Sequence, residues 1–328
     1  MLPFNRRCLL AFLLLGTAHT FAQSPGKPVP VIFDTDMGPD YDDVGAITLL
    51  HAFASQGKAR ILATIASTKY EGVGAVLSVL NTYFKRPDIP IAVPRGDALA
   101  LRDSQHWSDT LIARYPHAIR HNHETPDAVT LYRKVLAAQP DSSVTIITVG
   151  FLTNISNLLQ SGADTYSPLS GIELVKQKVT HMVSMAGKFP EGAEFNLYKD
   201  IEASRYVVTH FPRPVLFSGF EIGNRIKTGL PLIHNASIRN SPVKDVFRIS
   251  IPMVTADRDG RMSWDQTAVL VAILGVAPYY TETYGAMIVH EDGSNSWKTK
   301  GRQHSYLVEA RPVEEVKQII DTLMMHVP

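Results

Sequence analysis

From residue 29 onward, short apolar runs alternate with stretches whose apolar residues recur at helical spacing. Val31-Ile-Phe33, Ala59–Ala66, Ile91–Val93, Val144–Val149, Val179–Met185 and Val215–Phe217 are too short for helices and rich in β-branched residues, so they read as strands buried on both faces. Between them, Val44–Leu50, Val73–Phe84, Val129–Ala138 and Ile155–Leu159 carry the helical pattern, as do the apolar run after Trp264-Asp265 and Val313–Met325. The first strand–helix–strand pairs predict right-handed βαβ units, which place strands side by side and parallel. A hairpin around Asp292-Gly293 is expected within residues 284–311. Residues 97–127 are polar and without period. They are expected to be a long binding loop or lid, with His106 or Trp107 placed to stack on a planar ligand.

Composition narrows the class. The chain has 328 residues, 45% of them hydrophobic and 19% charged, with a formal net charge of +1, which suits a single large α/β domain and gives no basic surface for nucleic acid or an anionic membrane. The first residues stand apart. Arg6-Arg7, the apolar run Cys8–Gly16 and the small residues around Thr20-Phe21-Ala22 read as a secretory signal over residues 1–22, leaving residues 23–328 as an exported domain, periplasmic or secreted, with no membrane attachment once cleaved. Cys8 is the only cysteine, so the mature chain would hold no disulfide.

Candidate chemistry is concentrated where the first strand ends. Asp34, Asp36, Asp40, Asp42 and Asp43 crowd the loop after Val31-Ile-Phe33, where open α/β sheets bind ligands, and Asp42-Asp43 would open the next helix. So many carboxylates repel one another unless a cation neutralises them, and oxygen ligands without Cys or His nearby point to Ca²⁺ or Mg²⁺. An EF-hand would need its Gly one place later and a closing Glu. A haloacid-dehalogenase-type phosphatase shares Asp34-Thr-Asp36 but not Gly38.

The run resembles the N-terminal signature of the inosine-uridine-preferring nucleoside hydrolases, Asp-x-Asp-x-Gly-x-Asp-Asp before a helix of small residues. It is a longer-loop variant. Pro39-Asp40-Tyr41 stand where the common form has one residue, which leaves Asp40 as an additional acid. Three later landmarks follow in the family's order: Gly150-Phe-Leu-Thr-Asn154, then Met185 with Glu194-Phe195-Asn196 and Asp200-Ile-Glu-Ala203, then Trp264-Asp265 at a helix start. Two departures matter. Ser67–Tyr70 replace a loop that carries a ribose-binding Asn in the family, and Trp264 stands in the place of a His that is a proton donor to the leaving base. An indole cannot donate a proton near neutral pH, although it can stack on a base.

The resemblance implies an α/β fold, a mostly parallel sheet with helices on both faces, and calcium-dependent hydrolysis of the N-glycosidic bond of ribonucleosides. Ca²⁺ would be held by Asp36, Asp43, Asp265 and the backbone carbonyl of Val149, with Asp36 also the base. Asp42, Met185, Glu194, Phe195, Asn196 and Trp264 would line the substrate site. The expected partner is a small-molecule nucleoside or riboside, and a homo-oligomer is compatible with the sequence. Two other functions fit the same residues: a non-catalytic nucleoside- or sugar-binding protein, and a hydrolase of a different ribosyl or glycosyl compound.

Overall fold

The computed structural model describes residues 26–328, so the proposed leader lies outside the described residues. Its strands are β1 (Val29–Thr35), β2 (Ala59–Ala66), β3 (Ile91–Ala92), β4 (Val144–Thr148), β5 (Val179–Met185) and β6 (Glu191–Ala193), followed by β7 (Val215–Ser218), β8 (Lys227–Thr228), β9 (Arg261–Met262), β10 (Tyr280–Val289), β11 (Ser294–Lys298) and β12 (His304–Glu309). Among the described residues, ten strands form one sheet in the order β3-β2-β1-β4-β5-β7-β12-β10-β11-β6. The pairings from β3 across to β12 are parallel, and β10, β11 and β6 continue the sheet antiparallel.

The apolar runs explain this architecture directly. Val31 and Phe33 join one buried cluster and Ile32 the other, as alternation requires of a strand covered on both faces. Helices at Asp42–Ser55, Val73–Tyr83, Trp264–Leu274 and Val313–Met324 contribute to the first cluster, and helices at Ala128–Ala137, Thr153–Gln160 and Ile201–His210 to the second. From β1 the chain runs outward through β2 to β3, whereas from β4 it runs the other way to β5 and β7. The order therefore reverses between β1 and β4, and their carboxyl ends open a crevice there.

Two expectations change. Residues 97–127 contain a helix, Trp107–Arg114, and a short 3-10 turn, Asn122–Glu124, and Trp107 is completely buried. An indole enclosed in the core cannot stack on a substrate. His106 stays outside, beside Asp109 at 3.2 Å. The late hairpin is real between β10 and β11, but β12 then returns to pair parallel with β7 and so belongs to the main sheet. Among the described residues, no helix is long and apolar enough to cross a membrane.

Candidate active site

The crevice between β1 and β4 widens into a cavity of about 360 Å³, lined by Asp36, Asp40, Asp42, Asp43, Val149, Met185, Glu194, Phe195, Asn196, Trp264 and Asp265 together with Pro39, Ala193, Tyr198, Phe220 and Arg261. The site residues implied by the family resemblance thus line one cavity, from segments as far apart as the first strand and the helix at Trp264, whereas His106 and Trp107 do not.

Close backbone approach makes this possible. A side chain at Gly150 would put its Cβ 2.5 Å from the Ser67 hydroxyl and 2.7 Å from the Asp36 Cβ, so only glycine lets the end of β4 lie against the end of β1. Gly45 does the same between helices, since a Cβ there would meet the Gln266 amide, with Cδ at 3.0 Å. That contact packs Asp42–Ser55 against Trp264–Leu274 and aligns their acidic first turns.

On the floor, one carboxylate oxygen from each of Asp42, Asp43 and Asp265 lies within 4.8 Å of the others. This trio contains Asp42 in the place where the resemblance implies Asp36, which lines the same cavity but lies outside the trio. The Asp265 backbone N–H donates to Asp42 Oδ2 at 3.1 Å, and the Thr35 hydroxyl donates to Asp43 Oδ1. Burial pushes the Asp36, Asp42 and Asp265 carboxyls well above the usual carboxylate range, and the acids' mutual repulsion adds to it. Asp43 is raised to about 7, again by burial, with the Thr35 hydrogen bond opposing. Its Oδ2 is buried without a protein partner. An all-oxygen set of clustered acids with an orphaned buried oxygen fits a hard divalent cation, which would remove the repulsion and complete the missing contact.

The sugar side is built from the loop after β5. Glu194 caps the helix Phe195–Lys199, accepting from the backbone N–H groups of Gly187 at 3.0 Å, Asn196 at 2.8 Å and Leu197 at 3.3 Å. Capping fixes the carboxylate, whose remaining lone pairs are free to accept from hydroxyls. Asn196 donates both amide hydrogens, to the Val149 carbonyl at 3.1 Å and the Met185 carbonyl at 3.0 Å, which leaves its Oδ1 as an acceptor.

The opposite wall is aromatic and basic. Phe220 and Trp264 stack with centroids 5.3 Å apart, and the indole N–H donates to the Phe220 carbonyl at 2.8 Å. Arg261 lies with its guanidinium carbon 4.9 Å from the Trp264 centroid and 5.0 Å from that of Tyr41. It pairs with Asp40, which accounts for the additional acid of the long loop, and approaches Asp42 at 3.6 Å and Asp257 at 3.4 Å. Sequence reasoning missed Arg261. The available signal was a charge balance: an inserted acid, Asp40, in an already acidic loop calls for a cation, and Arg261 precedes Trp264 by one short turn.

Comparison with known proteins agrees with this geometry. The family model described as inosine-uridine preferring nucleoside hydrolase matches residues 31–317. A pyrimidine-specific ribonucleoside hydrolase, RihA, of Salmonella paratyphi B is 31% identical over 236 residues, 69% of this chain and 68% of that protein. Among solved structures, a purine-preferring ribonucleoside hydrolase from Gardnerella vaginalis superposes with a TM-score of 0.70 at 16% identity, covering 90% of this chain and 99% of that one. The inosine-uridine preferring nucleoside hydrolase of Bacillus anthracis gives 0.68 at 14% identity, with 90% and 99% covered.

Proposed function

This chain belongs to the inosine-uridine preferring nucleoside hydrolase family and is a ribonucleoside hydrolase; we propose that it works with a bound Ca²⁺, releasing free base and ribose. The observation that carries the calcium reading is the cluster of Asp42, Asp43 and Asp265 carboxylates within 4.8 Å of one another, in a cavity that Asp36 and Val149 also line. Asp36, Asp43, Asp265 and Val149 would hold the ion, with Asp42 close enough to share it. When bound, the ion supplies positive charge that neutralises the acids and makes a nearby water more acidic.

The chain's own groups do the rest. Asp36, placed where β1 opens into the cavity, takes the proton of the attacking water as it adds to the anomeric carbon. Asp42, Glu194 and the Asn196 oxygen accept from ribose hydroxyls, holding the sugar while positive charge develops on its ring. These contacts strengthen as that charge grows, so they favour the transition state over the bound substrate. Met185 and Phe195 close the apolar side of the pocket and exclude water.

A panel of ribosides tests the reading with and without a chelator, followed by back-titration with Ca²⁺, Mg²⁺ or Mn²⁺. Release of free base that the chelator abolishes and Ca²⁺ restores is expected. Full activity in excess chelator would overturn the calcium assignment. Tight binding with no base released would favour the non-catalytic binder, and turnover confined to ribosyl compounds other than nucleosides would favour the other hydrolase. Export of the chain is part of the same proposal, supported by the pattern of residues 1–22. Its check is the mature N-terminus, expected at Gln23 after expression in a bacterial host.

A further inference from the structure

The leaving-group wall of the cavity has the wrong chemistry for a proton donor and the right chemistry for an anion. Trp264 has its single N–H committed to the Phe220 carbonyl. Arg261, nine-tenths buried, lines the same wall and keeps its proton at any pH the protein meets. Its backbone is fixed by the β8–β9 ribbon, where Arg261 pairs with Thr228. Its side chain is clamped between the Tyr41 and Trp264 rings, and Tyr41 is itself anchored by donating to Asp257 at 2.6 Å. The Arg261 Nε–H is buried with no protein acceptor.

Resting on the riboside-hydrolase reading above, we propose that Arg261 activates the leaving group: it stabilises the departing base as an anion, whose carbonyl oxygens take up the charge. The bond from the anomeric carbon to the base nitrogen breaks with its electron pair going to the base. Water oxygen forms the new bond to that carbon, and the water proton goes to Asp36. Arg261 keeps all its protons, and the base anion is protonated by solvent after departure. A guanidinium already held in place pays no reorganisation as the charge develops, which is what makes such a group effective. The paired acids Asp40 and Asp257 orient Arg261. They also hold its charge next to an otherwise acidic cavity.

The test compares uridine and inosine with 4-nitrophenyl β-ribofuranoside, whose phenolate departs without help. In Ca²⁺-containing buffer, Arg261→Gln is expected to lower kcat/KM for the two nucleosides by roughly 10²-fold while changing the nitrophenyl riboside far less, the size seen when one preorganised donor to a developing anion is removed. Arg261→Lys should restore part of the loss. Equal losses on all three substrates in both variants would make Arg261 a structural residue and overturn the proposal, as would no loss at all. A selective loss in Tyr198→Phe instead would assign the role to the phenol on the same cavity. Should Arg261→Gln fail to fold by thermal unfolding, Arg261→Lys carries the comparison, with a steeper dependence on leaving-group acidity than the parent as the expected result and an unchanged one as the refutation. If the parent hydrolyses none of the three, the riboside reading fails rather than this one.

Discussion

Asp34 and Asp36 lie two residues apart at the end of the same strand, both buried, yet they occupy opposite kinds of environment. Asp34 turns into the second core cluster, where the Tyr132 hydroxyl donates to it at 2.8 Å and the Asn154 amide at 3.0 Å. Burial raises it to about 7, and those neutral donors hold it back from rising further. Asp36 faces the cavity, where its neighbours are Asp43, Asp40 and Asp42, all of which oppose its ionisation. One carboxylate has neutral donors on its Oδ2, with only its Oδ1 unpartnered, and the other faces a ring of acids. Neutral donors make a buried acid structural. Other acids around it make a place for an ion and for chemistry.

That contrast can be broken at several points. Asp36→Asn should lower turnover by about 10² to 10⁴-fold or more if, as proposed, Asp36 is both the catalytic base and an ion ligand. Its thermal stability without metal should hold or rise, since one repulsive charge has gone; parent-rate hydrolysis by this variant would remove Asp36 from the mechanism. Gly150→Ala pushes the β4 turn away from the Asp36 backbone, and misplacement near the reacting atoms costs on the order of 10²-fold in kcat/KM. Steady-state kinetics with a melting curve separate this from simple unfolding.

Asp34→Ala should act mainly on stability. It strands the Tyr132 hydroxyl and the Asn154 amide, at about 1–3 kcal/mol for a buried unsatisfied group, read by urea unfolding. A loss of activity as deep as that of Asp36→Asn, with stability intact, would merge the two environments that the structure separates. The smallest effect is in pH dependence. An unfolded Asp titrates near 3.9 and folded Asp34 near 7, so between those values the folded state binds more protons and stability falls as pH rises. With Ca²⁺ saturating the cavity acids, Asp34→Asn should flatten this part of the stability profile, and an unaltered slope would place the titration elsewhere.

Much of this was legible in the sequence because it is written locally. Val31-Ile-Phe33 and Val144–Thr148 are runs no other element buries so well, and the acids of the first loop advertise a cation by their crowding alone. Asp265 and the Glu194-Phe195-Asn196 group were reachable through resemblance, since nothing in their spacing ties them to residue 36. What remained hidden depends on partners brought together by folding. Trp107 looked like a loop aromatic because its flanks are polar, and only the helix Trp107–Arg114 turns it inward. Arg261 is one arginine among many until Asp40, Tyr41 and Asp257 are seen around it. The helix Pro242–Ser250 also went unread, although Ser241 caps it and proline opens it.

The floor of the cavity joins acids from the beginning of the domain to one near its end, Asp265, through the contact of Gly45 with Gln266. During synthesis the early carboxylates must therefore wait on the ribosome until the last third of the chain emerges. A nascent or nicked protein lacking that third would carry the whole N-terminal signature and still be unable to hold the ion, so its possession of the motif would say nothing about its competence.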